Sequence, residues 1–128
     1  MKLLNVAVLA PLLLCASCSG LGPAAKADAW RKVELDLAQL DADGLRGPPD
    51  GKVAVSYEFR IPNTAACRDQ VKAIDPTVEF MPGARGRIGA SPQECLCIGS
   101  TNQARYREVL QNLAGLPWVD RIIECYFE

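Results

Sequence analysis

Residues 53–61 alternate without interruption. Val53, Val55, Tyr57, Phe59 and Ile61 are apolar, and Ala54, Ser56, Glu58 and Arg60 stand between them. A period of two puts all five large side chains on one face of an extended strand and leaves the charges on the other. A strand of this kind has one face to bury, and the rest of the chain has to supply the cover. Pro62 closes it, because proline has no N–H to give to a neighbouring strand.

The cover is legible downstream. Asn63 or Thr64 offers a helix N-cap, and Cys67, Val71 and Ile74 follow at i, i+4 and i+7 on one helical face. The residue before Pro76 disfavours helix, which predicts a stop near Asp75. Residues 77–81 read as a short strand and residues 82–93 as a loop carrying Gly83, Gly86, Gly89 and Pro92. Residues 94–99 read as a second short strand. Ser100, Thr101, Asn102 and Gln103 have the form of a capping box, with Ser100 as the cap. Tyr106, Val109, Leu110, Leu113 and Leu116 then share a helical face, ended by Gly115 and Pro117. Residues 119–127 close the chain as a strand, with Arg121, Ile123, Cys125 and Phe127 on one side. Upstream, residues 45–51 are a Gly/Pro loop. Residues 33–37 alternate like a further strand, although Trp30, Val33, Leu37 and Leu40 fit a helical face equally well.

From residue 53 the order is strand, helix, strand, strand, helix, strand. That order resembles the ferredoxin-like split βαβ sandwich. The resemblance implies an α+β domain in which two amphipathic helices cover one face of a four-stranded antiparallel sheet. Residues 33–37 would be an extra N-terminal strand that extends the sheet or covers its open face. Element order of this kind names no function.

The first residues carry an address. Lys2 precedes an uncharged apolar run from residue 6 to residue 14, about half the ~20 residues a spanning helix needs. Such a run is an export signal. Ala16, Ser17 and Cys18, with Leu14 upstream, resemble the lipobox of a bacterial lipoprotein signal, and Cys15 departs from it where leucine is usual. The resemblance implies that residues 1–17 are removed and that Cys18 is lipidated. Because Ser19 is not acidic, it also implies an outer-membrane address facing the periplasm in an organism with two membranes. Ala25, Lys26 and Ala27 offer an alternative cut by ordinary signal peptidase. Residues 18–29 are small and read as a flexible tether, and residues 30–128 suffice for one domain with a single core.

Of six cysteines, Cys15 leaves with the signal, and Cys18 is lipidated or removed. Cys67, Cys95, Cys97 and Cys125 remain, and an exported domain invites disulfides among them. In the ferredoxin-like arrangement the first turn of the first helix sits above the ends of the central strands. Cys67 and Cys97 are then the preferred pair, provided that Cys97 faces the helices. Free thiols packed as small hydrophobes are the alternative. Cys95 and Cys97 share a strand face and are weak candidates for a soft ion such as Cu(I) or Zn(II).

Residues 83–89 are the most distinctive stretch of the body. Glycines allow close backbone approach, and Arg85 and Arg87 present forked donors that suit a phosphate, a carboxylate or a partner. The same composition also suits a solvated hairpin turn. Ser56, Glu58 and Arg60 share the outer face of the main strand without a nucleophile or a base beside them.

The chain has no histidine, which removes every Ser-His-Asp and Cys-His arrangement. A net charge of −1 leaves no basic footprint for nucleic acid. The expectation is therefore an exported, lipid-anchored cell-envelope protein. Its domain would be non-catalytic, binding or structural, with an envelope protein as candidate partner and no cofactor. A thiol or soft-metal protein using Cys95 and Cys97 is the alternative.

Overall fold

A computed structural model describes residues 23–126, with side chains from residue 26 onward. The export segment with Cys15 and Cys18 lies outside the described residues, so the signal and lipid-site expectations rest on sequence. In chain order the described residues form α1 (Pro23–Arg31), a short 3-10 turn (Leu37–Gln39), β1 (Leu45–Arg46), β2 (Val53–Ala54), β3 (Ser56–Pro62), α2 (Ala65–Ile74), β4 (Glu79–Pro82), β5 (Glu94–Ser100), α3 (Tyr106–Ala114) and β6 (Ile123–Glu124). The domain is α+β. Its main sheet has the strand order β4-β5-β3-β6 with every neighbouring pair antiparallel, and β1 and β2 form a separate two-stranded ribbon.

The alternating stretch that reads as one strand is divided at Val55. Its N–H donates to Thr101 Oγ1 at 2.9 Å and its carbonyl accepts from Thr101 N at 2.9 Å. Beyond that tie the backbone pairs with β5, and before it with β1. Val53 therefore lies on the ribbon, 56% exposed, rather than in the core.

On β3, Tyr57, Phe59 and Ile61 are fully buried, and so are Cys95 and Cys97 beside them on β5. Helices α2 and α3 complete this core with Val71, Leu110 and Leu113. The Tyr57 and Phe59 rings stack at 6.4 Å. Gly99 pairs with Tyr57 across the strands, and a Cβ there would come within 2.5 Å of the Tyr57 ring, so the large aromatic depends on a residue without a side chain.

Thr64 caps α2, its hydroxyl accepting from Cys67 N at 3.2 Å, and the helix ends at Asp75 as the following proline predicts. The capping box at 100–103 does not form. Ser100 is the last residue of β5, and α3 starts at Tyr106 behind Arg105, which has a left-handed φ of 60°. Gln103 is engaged elsewhere. Its amide donates to Ser100 O at 2.8 Å and to Asp75 Oδ1 at 3.1 Å. Asp75 is fully buried, accepts from Thr77 Oγ1 at 2.6 Å, and also takes the Tyr57 hydroxyl. Burial comes first, and the Asp75 charge second, in driving the Tyr57 phenol far above its ordinary range.

The N-terminal expectations change most. Residues 23–31, read largely as tether, are helix α1, which packs on α3 with Ala29 buried. The extra strand at 33–37 reduces to a single parallel bridge between Val33 and Ile122. Lys32 Nζ anchors the segment by donating to Leu116 O at 3.3 Å and Val119 O at 2.7 Å, carbonyls just past α3. Asp36 then accepts from Ala38 N at 3.2 Å and turns the chain into its 3-10 turn instead of letting the strand continue. The closing strand is shorter than the alternation suggests, Ile123–Glu124 only.

Candidate functional site on the open face of the sheet

The face away from the helices carries Glu58 on β3, Met81 on β4, Leu96 and Ile98 on β5, and Ile123 on β6. Loop 83–93 folds back across it. Ile88 and Ala90 bury themselves with Leu96, and Ala84, Ile98 and Ile123 pack around them. Inside the loop, Gly89 N and Ala90 N both donate to Arg85 O, at 3.1 and 2.8 Å. Arg60 holds the loop from below, donating to Gly89 O at 3.2 Å while pairing with Asp120 at 2.8 Å and lying 3.7 Å from Glu94. Glu58 holds it at the centre. The residue is 2% exposed, and its Oε1 accepts from Arg87 N at 2.9 Å.

Gly86 makes this closure geometrically possible. Its φ is +60°, and a Cβ would lie 2.5 Å from Glu58 Oε2 and 2.7 Å from Leu96 Cδ1. A glycine is needed both for the backbone conformation and for the approach to the carboxylate.

The roof is incomplete. A cavity of about 460 Å³ remains between loop and sheet, lined by Glu58, Met81, Leu96, Ile98, Cys125 and Tyr126 together with Ala84, Gly86 and Arg87 of the loop. The Arg87 guanidinium lies 4.7 Å from the centre of the Tyr126 ring, a cation–π arrangement at the cavity mouth. A smaller hollow of about 280 Å³ shares Arg87 and Tyr126 and continues toward Glu34 and Arg121. Burial raises the Cys125 thiol pKa first and the Glu58 charge raises it further, while Arg87 pulls it down. Cavity, carboxylate, thiol and guanidinium thus form one electrostatic unit.

The two loop arginines, which the sequence places together, diverge. Arg87 belongs to this cavity. Arg85 lines a different hollow of about 470 Å³ with Gly83, Gly89, Ala90, Ser91 and Pro92. Gly86, with its positive φ, lies between them, and because they line different hollows they do not form one anion cradle.

The four body cysteines carry free thiols, and no bridge joins Cys67 to Cys97. Cys97 does face the helices, but its thiol neighbour is Cys95. Burial, then the charge of Cys95 and a hydrogen bond with it, hold the Cys97 thiol far above the usual range. Cys67 is half-buried at the first turn of α2. That turn follows the end of β3, and the antiparallel register sets Cys95, not Cys97, beside that end, opposite Ile61. Both strand cysteines are sealed in the core, so a soft ion would have to enter a closed interior, and burial favours the protonated thiol of Cys97. Among the described residues no three His, Cys, Asp or Glu side chains gather as a metal site.

Met81 and Tyr126 are the site residues that sequence reasoning passes over, and Glu58 is placed on the outer strand face but given no role. The available signal was the glutamate itself, a charged residue at the middle of the strongest strand, opposite in the fold to a loop rich in glycine. Among the described residues no helix is long and apolar enough to cross a membrane. Comparison with known proteins returns no matching family model, no matching curated protein and no matching solved structure.

Proposed function

We propose that this chain is a non-catalytic binding domain held at the cell envelope by a lipid on Cys18. Its contact surface is the groove between the open sheet face and loop 83–93. One observation carries the reading. Of the three large apolar side chains that the described residues leave exposed, Met81 (43%) and Tyr126 (55%) both flank this groove. Apolar side chains gathered around a concavity with a few polar groups inside are the ordinary make-up of a binding site. The strand order β4-β5-β3-β6 under two helices supports a ferredoxin-like sandwich, a scaffold that presents one sheet face to a ligand when its helices occupy the other. The address rests on the sequence of residues 1–18. The partner is an envelope component with an apolar group to insert.

The test places a photo-cross-linking residue at Met81 and, in a second variant, at Gln70, which is exposed on α2. In intact cells the Met81 probe is expected to give a discrete envelope adduct that the Gln70 probe does not give. Both proteins should fractionate with membranes, and Cys18→Ser should release them. Equal labelling from the two positions, or membrane retention without Cys18, overturns the proposal.

A further inference from the structure

The cavity holds a carboxylate whose charge has no cationic partner. Glu58 sits at the centre of the sheet, 2% exposed, and forms no ion pair among the described residues. Its Oε1 takes one backbone N–H, from Arg87. Its Oε2 accepts no hydrogen bond among the described residues. No sealed side-chain nitrogen or oxygen among them lacks a partner, so Oε2 is not sealed and opens to the cavity that Glu58 lines. A carboxylate removed from bulk water is costly unless a cation or several donors compensate it.

Neither arginine beside it pairs with this charge: Arg60, two residues along β3, engages Asp120, Glu94 and Gly89 O. Arg87 gives Glu58 its backbone N–H while its side chain is turned out over the Tyr126 ring. Met81, Ala84, Leu96 and Ile98 form the apolar part of the lining, and Arg87, Cys125 and Tyr126 complete it. The cavity therefore combines a buried carboxylate that forms no ion pair among the described residues, an apolar wall, and an aromatic ring already carrying the Arg87 guanidinium.

From this geometry we infer that the groove takes a protonated amine on an apolar body, with the ammonium donating to Glu58 Oε2 and the hydrocarbon lying on Leu96, Ile98 and Met81. The inference rests on the binding reading above and names its ligand class. A bound ammonium supplies the missing charge and donors. Cys125 lines the same cavity, so an occupant also shields its thiol.

The probes are n-hexylammonium, 1-hexanol and hexanoate, equal in chain length and different in charge. Binding to the full chain is followed by NMR shifts, and thiol protection by mapping alkylated cysteines. A charge-assisted contact made in a partly dry cavity predicts hexylammonium binding about tenfold tighter than hexanol. It should also slow alkylation of Cys125 and leave Cys67 unaffected. Glu58→Gln keeps an oxygen for Arg87 N and should bring the ammonium down to the alcohol. If that variant misfolds, the preference among the three probes on the unaltered protein still decides. Hexanol or hexanoate binding as tightly as hexylammonium overturns the ammonium inference and leaves the groove standing. Binding of none of the three overturns both.

Discussion

The two faces of the main sheet are built from the same strands by different rules. The helix face is filled by large side chains from β3, β5, α2 and α3, with Tyr57, Phe59, Ile61, Leu110 and Leu113 all at zero exposure. The open face is covered by one irregular loop that contributes Ile88 and Ala90 and otherwise relies on backbone bonds to Glu58 and Arg60. Helices bring regular rows of side chains and can close a surface completely. A loop brings few side chains and spends its backbone on polar ties. The difference teaches where to look for function: the first face accounts for stability, and the second retains a cavity, an unmatched charge and exposed apolar groups.

Truncation on each face should separate them. Phe59→Ala empties a fully buried site stacked on Tyr57 and should cost about 3–5 kcal/mol. Ile88→Ala removes a loop side chain whose site can relax toward solvent, and should cost about 2 kcal/mol, at the low end for such a truncation. Urea unfolding of both variants checks the order. Equal losses would mean that the loop is as much a part of the core as α2 and α3, and the contrast between the faces would fail.

Gly86→Ala sharpens the same contrast at its most constrained point. A left-handed φ costs a residue with a Cβ about 1–2 kcal/mol, and here the new methyl also meets Glu58 Oε2 and Leu96. The expected loss is on the order of 2 kcal/mol. Unlike Ile88→Ala, it should also displace the Arg87 N–H from Glu58, seen as a shift of the Arg87 amide resonance. An unmoved amide would mean that the loop absorbs the methyl without releasing the carboxylate.

How far each face could be read from sequence follows the same division. The alternation at 56–61, the cap at Thr64, the stop at Asp75 and the apolar row of α3 are local signals, and each survives in the fold because packing and propensity agree. The errors arise where a distant polar group decides. Thr101 divides the long strand at Val55, Asp75 draws Gln103 out of its capping box, and Lys32 with Ile122 fixes the segment that alternation alone presents as a strand. The site belongs to this second class. Arg87 was visible as a loop arginine, but its divergence from Arg85 turns on the positive φ of Gly86 between them. Glu58 reads as a solvated charge until the loop is known to cross it.

The smallest effect at neutral pH is the response to base, to which the helix face contributes through Tyr57 and Cys97 and the open face through Cys125. Tyr57 and Cys97 both have raised pKa values, chiefly through burial. The folded state therefore holds these protons more tightly than the unfolded chain does. Their contribution to stability is complete below the unfolded values, about 8.5 for the thiol and about 10 for the phenol. It is lost as pH rises beyond them, because the unfolded chain ionises and the folded one cannot follow. Urea midpoints should be level up to about pH 8 and then fall, more steeply beyond about pH 10 as Tyr57 joins. Cys97→Ala should start lower from lost packing yet show a flatter first decline. Thiol labelling under native conditions should reach Cys67 first and spare Cys95 and Cys97 until the midpoint falls. Early labelling of Cys97, or a midpoint constant to pH 11, would mean that the helix face is not the sealed half of the sheet.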